Sequence, residues 1–243
     1  EKYGVAVCNN PTYCLDEVAD HTAALMLACA RRIIQFNTAV KEDRVWKPYA
    51  QAGNIKRLSK QTYGLIGFGN IARRVAKRMQ GFGCNIISYD PFIKQEFTDK
   101  YNVKMVELKE LCAKSDMISL HAPLMPSTEK MLSKEMFEIM AAKRPIVVNC
   151  ARGGLVDEEA FLDAIDTGKI SMAGIDDFAA QKPDPNDLAF VTRKNVIITP
   201  HVGFYSDDST VIQNELGLRH IKDFFSGSIN EIPFVNKIRT AKA

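Results

Sequence analysis

The sequence predicts an α/β fold with a doubly wound parallel sheet, and three observations lead to it. Short apolar runs alternate with longer segments in which apolar residues return every three or four positions. That is the pattern of buried strands separated by covering helices. Glycines, prolines and capping residues stand at many of the boundaries. One stretch, residues 62–90, joins strand, glycine turn, helix and strand without a break: TYGLIGFGNIARRVAKRMQGFGCNIISYD.

Taken in order, residues 4–8 read as a strand, followed by a turn through Asn9, Asn10 and Pro11. Asp16 then caps a helix carrying Val18, Thr22, Leu25, Met26, Cys29, Ile33 and Phe36 on one side, with Glu17 favourably placed in its first turn. The spacing predicts a single long helix running past Thr38. Between Glu42 and Lys60 the pattern dissolves, and Trp46, Pro48 and Tyr49 stand among polar residues. A surface arm is expected over 42–60, its Trp46 either packing on a partner subunit or folding back on its own domain.

Residues 63–66 suit a buried parallel strand, which breaks at Gly67-Phe68-Gly69. Ile71, Val75, Met79 and Phe82 then mark one helix face, and 84–89 reads as a second strand ending in Asp90. Gly67 permits a sharp turn, Gly69 lets the backbone approach a pyrophosphate, and Ala72 takes the third small position, where helix and strand lie close. Free N–H groups near Asn70 and Ile71 would meet the phosphates. Asp90 would accept from the adenosine ribose hydroxyls and repel a 2′-phosphate. No Arg or Lys directly follows it, so the expected cofactor is NAD rather than NADP. A bare GxGxxA is weak evidence, but here the strand and helix that it requires flank it on both sides.

Beyond this Rossmann-type unit the alternation continues. Strands are expected at 103–106, 117–120, 146–148, 172–175 and 196–198. Helices are expected at 108–114, from a Ser133 cap to Met140, and from an Asp157 cap through Phe161, Ala164 and Ile165 to a stop at Gly168. Residues 181–187 read as loop. A last helix, with Val211, Glu215, Leu218 and Ile221 on one side, closes the domain.

At 243 residues the chain suffices for one large α/β domain, or for one domain with pieces of another. A formal charge of +3 with both signs interspersed asks for neither nucleic acid nor an anionic membrane as partner. Cysteines 8, 14, 29, 84, 112 and 150 show no paired spacing. They read as free thiols in a reducing, cytoplasmic setting, not as a disulfide scaffold or a zinc site, and no metal site is expected. The apolar segment 23–30 is too short to span a bilayer and is closed by Arg31 and Arg32.

Three polar constellations follow strands, where open α/β sheets place their ligands. In the first, Asn149-Cys150-Ala151-Arg152-Gly153-Gly154, the Arg152 guanidinium suits a bidentate carboxylate clamp, and Cys150 lies on the cofactor side. In the second, Thr199-Pro200-His201-Val202-Gly203, His201 is an imidazole, a side chain whose unperturbed pKa lies near neutrality, and could donate or accept the proton that accompanies hydride transfer. In the third, Gly174-Ile175-Asp176-Asp177-Phe178, Asp176 can face a cofactor amide. His121, in Ser119-Leu120-His121-Ala122-Pro123, is expected to line the cofactor cleft without doing chemistry. His21 and His220 lie in helices and read as packing or surface residues.

The set GLIGFGNIA, SLHAPL, NCARGGLVDEEAF, AGIDDF and TPHVG, in this order, resembles the D-isomer-specific 2-hydroxyacid dehydrogenase family, and the resemblance extends from Val18 to about Phe225. It implies an NAD-dependent oxidoreductase of small 2-oxo and D-2-hydroxy acids, two-lobed and homodimeric through its nucleotide domains. It further implies that Arg152 binds the substrate carboxylate and 2-oxo group, that His201 is the acid/base, and that Asp176 approaches the nicotinamide carboxamide. On this resemblance residues 1–14 are a hinge and remnant of the substrate lobe, 15–225 the NAD-binding domain, and 226–243 a segment returning to that lobe. Most of the first lobe is then absent from the sequence.

One position departs from the family in chemistry. The glutamate that usually pairs with the histidine is matched by Gln181, which can orient a ring by hydrogen bonding but supplies no charge. Gln181 is thereby a third catalytic candidate beside Arg152 and His201. Formate dehydrogenases carry Gln there, which keeps formate oxidation open, although they have Asn where Cys14 stands here. A non-catalytic, NAD-responsive corepressor of the same fold is the third reading.

Overall fold

Residues 5–47, 53, 55–180, 182–186 and 189–236 are described by a computed structural model. Its centre is a seven-stranded sheet in which every pair of neighbours is parallel. The strands are β1 (Thr62–Ile66), β2 (Asn85–Tyr89), β3 (Lys104–Met105), β4 (Met117–Leu120), β5 (Ile146–Asn149), β6 (Met172–Ile175) and β7 (Val196–Ile198). They lie in the order β3-β2-β1-β4-β5-β6-β7. Ile66 is level with Tyr89 of β2 on one side and with Leu120 of β4 on the other. The order therefore turns back on itself at β1, and the carboxyl ends of β1 and β4 are where open α/β sheets of this kind place their ligands.

Successive strand residues face opposite sides, so the sheet feeds two cores. On one face Tyr63, Leu65, Val148 and Met172 pack with Met26 of α1 (Leu15–Arg31) and with Val75 and Met79 of α3 (Asn70–Gly81). On the other face Ile66, Val147 and Ile175 pack with Leu111 of α5 (Leu108–Lys114), Phe137 of α6 (Lys134–Met140) and Phe161 of α7 (Glu158–Asp166). Each such side chain contributes about 1.5–3 kcal/mol by leaving water. Asp157 caps α7, accepting from the Ala160 N–H at 3.3 Å, and Gly168 follows it in the left-handed region with φ 73°.

Several expectations are corrected. The long helix is two: α1 stops at Arg31, Arg32 takes φ 55°, and α2 begins afresh as Ile33–Lys41. The reason is close packing on β6, where a Cβ on Gly174 would lie 3.4 Å from Leu25 Cβ. Arg32 Nη1 also donates to Ser171 O at 3.4 Å. With α1 held so near the sheet, the chain turns away after it, and Ile33 and Ile34 reach solvent. The described part of the strand expected over 4–8 is reduced to one antiparallel bridge, Cys8 with Phe234. Phe82 follows the end of α3 and is exposed. A short helix, α4 (Gln95–Thr98), stands where none was expected. In the arm, Trp46 is 83% exposed rather than folded onto its own domain, while Pro48 and Tyr49 lie outside the described residues.

The chain divides into two compact units, Val18–Gly203 and a second that joins Glu1–Glu17 with Phe204–Ala243. The second contains α8 (Asp207–Ser226), which opens on a capping box between Ser206 and Ser209 and ends at Gly227 with φ 82°. The Val235 N–H donates to Val7 O at 2.9 Å, and Asn236 brackets the same segment through Val7 N and Val5 O. Val211, Leu218 and Ile221, expected to close the sheet domain, are more than half exposed.

Candidate active site

All seven strands run the same way, so the loops that follow them open on one edge of the sheet. From β2 to β7 this edge carries Asp90, the Gly67-Phe68-Gly69 turn, His121, the Arg152 loop, Asp176-Asp177 and the His201 loop. Five inter-strand steps of about 4.8 Å make it roughly 24 Å long.

Gly67 has φ 92°, and its N–H donates to Tyr89 O at 2.7 Å. A Cβ there would stand 2.9 Å from Ala122 N and His121 C, so turn and close approach both demand glycine. Gly69 is the N-cap of α3, and a Cβ on it would meet nothing within 4 Å. The space before the helix is open, and the first N–H groups of α3, at Asn70 and Ile71, have no helical acceptor. Buried Ala72 lets that first turn lie against β1. Asp90 is tied to the turn: its Oδ2 accepts from Phe68 N–H and its Oδ1 from Phe92 N–H, each at 2.9 Å. Each oxygen keeps a second lone pair for a ribose hydroxyl. Open space, helix N-terminus and strand-end carboxylate together fit a dinucleotide. The sequence did not single out Arg73, whose Nε donates to Gly69 O at 3.1 Å and whose Nη2 donates to Asn70 Oδ1, so a cation flanks the turn.

His121 stands beside Gly67 in a chain of hydroxyls. Tyr63 OH donates to Ser119 Oγ at 2.9 Å, and Ser119 Oγ is hydrogen-bonded to His121 Nε2 at 2.7 Å. Burial pushes the ring pKa down to about 3, which keeps it neutral. Burial likewise pushes the Cys150 thiol up to about 12, so it is a protonated, half-buried neighbour of the core.

Asn149 builds the turn that carries Arg152, accepting from Ala151 N–H at 3.0 Å and donating to Arg152 O at 2.9 Å. Arg152 is exposed, its Nη1 donates to Ala151 O at 2.7 Å, and among the described residues no carboxylate pairs with it. Gly153 is buried against the neighbouring loop so tightly that a Cβ would fall 2.1 Å from Ala179 N and Phe178 C. The Arg152 and Asp176-Asp177 loops are thereby locked together.

Asp176 is 3% exposed, and both its oxygens bind the loop of His201. Oδ1 accepts from Thr199 Oγ1 at 2.5 Å and from Val202 N–H at 3.0 Å, and Oδ2 accepts from Gly203 N–H at 2.9 Å. His21 Nε2 lies 3.4 Å from Asp176 Oδ1 and 2.9 Å from Thr199 Oγ1, so this histidine braces the loop instead of merely packing. Burial alone would raise the Asp176 pKa, but the bonds from His21, Thr199, Gly203 and Val202 win and bring it down to about 2. The loop so held presents His201 at φ 54° with its ring partly exposed. A cavity of about 420 Å³, lined by Phe178, Lys182, Val191, Ile198 and Pro200 among others, adjoins that ring. Gln181 lies outside the described residues.

A guanidinium with no carboxylate partner among the described residues, after β5, and an imidazole after β7, two strands along the same edge, can grip a carboxylate and exchange a proton. Residues 23–203 match the family described as D-isomer specific 2-hydroxyacid dehydrogenase, NAD binding domain. The chain belongs to that family. It is 38% identical over 229 residues to D-3-phosphoglycerate dehydrogenase of Methanocaldococcus jannaschii, covering 94% of this chain and 43% of that one. It is 40% identical over 223 residues to hydroxypyruvate reductase of Thermotoga maritima, covering 91% and 70%. The chain thus spans less than half the length of the first relative. D-lactate dehydrogenase from Aquifex aeolicus, solved in complex with NAD and lactic acid, superposes with a TM-score of 0.89 at 31% identity, over 98% of this chain and 75% of that one. In this family the glycine turn and Asp90 belong to an NAD-binding domain. No helix among the described residues is long and apolar enough to cross a membrane.

Proposed function

We propose that the protein is an NAD-dependent oxidoreductase that interconverts a small 2-oxo acid and the corresponding D-2-hydroxy acid. The observation that carries this reading is the order of groups along one sheet edge, with the adenosine acceptor Asp90 at one end and Arg152 and His201 at the other. NAD, when bound, supplies or accepts the hydride. Gly67, Gly69, Asn70 and Ile71 hold its phosphates, while His121, Cys150 and Asp176 line or brace the nicotinamide end. Arg152 grips the substrate carboxylate with its planar fork, fixing the 2-oxo group next to His201. His201 gives its proton to the carbonyl oxygen during reduction and removes it during oxidation. Gln181 is proposed as the third catalytic residue.

Residues 1–14 and 226–243 are proposed as the connections to a second, substrate-binding lobe. Their mutual pairing at Val7, Cys8, Phe234 and Val235 supports this. The six free cysteines support work in a reducing compartment such as the cytoplasm, and the exposed Trp46 supports a homodimer built through the arm. Steady-state NADH consumption by the whole protein with glyoxylate, pyruvate, hydroxypyruvate and bulkier 2-oxo acids tests the activity. Silence with every member of that panel would reject it.

A further inference from the structure

We infer that Asp177 is the carboxylate that positions and charges His201, supplying the charge that Gln181 lacks. This deepens the reading above and rests on it. His201 Nδ1 lies 3.5 Å from Asp177 Oδ1. The Asp177 side chain is 2% exposed, and its Oδ1 has no hydrogen-bond partner among the described residues. A buried carboxylate oxygen without a donor is costly to maintain, and the protonated Nδ1 of His201 is the donor within reach. The separation exceeds a formed hydrogen bond, as is common at acid/base pairs before substrate tightens them.

The adjacent acid cannot fill this role, because Thr199, Val202, Gly203 and His21 already occupy Asp176. Two other charged groups among the described residues lie by these loops. Glu158 accepts from Ala179 N–H at 2.8 Å, and Lys182 lies on the wall of the His201 cavity. Asp176 and Asp177 therefore divide the work: one holds the loop that carries the imidazole, and the other faces the imidazole itself. With Nδ1 directed to Asp177, Nε2 is the nitrogen that would meet the substrate oxygen, and the negative charge favours imidazolium, the form that donates a proton in reduction. Asp177 is a positioning residue that acts through His201 and touches no substrate.

Nitrogen NMR of the histidines in the whole chain tests this without turnover, with His201→Asn assigning the signal. In the wild type, neutral His201 should be the Nδ1–H tautomer. In Asp177→Asn, which conserves shape, the His201 titration should move to lower pH, and the alkaline limb of the kcat/KM profile for 2-oxo acid reduction, where the proton donor is lost, should move down with it. A wild-type Nε2–H tautomer, or a His201 titration unchanged in Asp177→Asn, overturns the pairing whether or not the variant is stable enough to assay. A protein that reduces no 2-oxo acid, yet whose His201 responds to Asp177→Asn, keeps the pairing and rejects the proposed activity.

Discussion

Arg152 and Asp90 are the two side chains at which the proposed substrate-binding and cofactor-binding roles can be tested apart. Among the described residues the Arg152 fork meets only a carbonyl of its own turn, Ala151 O, which leaves most of its donors for a ligand. Replacing it by Lys keeps the charge and loses the planar pair of donors. One charge-assisted hydrogen bond is worth about 1.5–3 kcal/mol, so kcat/KM for the 2-oxo acid should fall roughly 10- to 150-fold. The Kd for NADH, measured by fluorescence titration, should stay within about twofold. A weakened NADH affinity with intact substrate handling would place Arg152 in the wrong role. Asp90→Ala should narrow the preference for NADH over NADPH in direct binding, because the carboxylate that repels a 2′-phosphate is gone. Asp90 also accepts from Phe68 N–H and so steadies the glycine turn. Some loss of affinity for both cofactors is therefore expected, and the ratio is the informative quantity.

Among the elements, the periodic and strongly apolar ones were legible in the sequence, and the departures have local causes. The strands over 117–120 and 172–175 and the helix over 108–114 came out at their expected bounds, since buried runs between turn residues admit one solution. The α1–α2 break was not legible. It accompanies the close packing of α1 on β6 at Gly174, a neighbour far away in the sequence. The site divided in the same way. Arg152 and His201 stood out as polar residues after apolar runs, whereas His21 read as packing because the Thr199 and Asp176 beneath it are distant in the chain. Asp177 read as half of an acidic pair, since nothing in the order of residues says which acid turns to which side. Gly153 shows how tightly the loops are coupled: its missing Cβ is the space that the backbone of Phe178 and Ala179 occupies. Gly153→Ala must push backbone against backbone, so urea denaturation should show a loss of roughly 1–3 kcal/mol, with activity lost beyond that because both strand-end loops shift. Wild-type stability in this variant would mean that the loops are not locked together. Asp157→Ala is the milder comparison, removing the α7 cap for about 1 kcal/mol and leaving the edge of the sheet alone.

For the whole molecule the sharpest consequence is acid sensitivity. The Asp176 carboxyl titrates near 2 in the folded state, against an ordinary value of 3.8, because four donors overcome its burial. A depressed folded pKa means that the ionised group stabilises the fold, fully so above the unfolded value, and that this contribution is lost as pH falls through the folded one. The window is therefore about pH 4 down to pH 2. A shift of nearly two units corresponds to roughly 2 kcal/mol at neutral pH. The cysteines do not compete for this window: burial pushes Cys29, Cys112 and Cys150 up to about 12, far outside it. Denaturant unfolding followed from pH 5 to pH 2 should show the wild type losing stability faster than Asp176→Asn. That variant starts lower at pH 7, because an amide cannot accept the same four donors at both of its ends. The two curves should converge near pH 2, where Asp176 itself becomes protonated. Parallel curves over the whole range would show that Asp176 contributes no pH-dependent stability, and the bracing of the His201 loop would then have to come from packing rather than from charge.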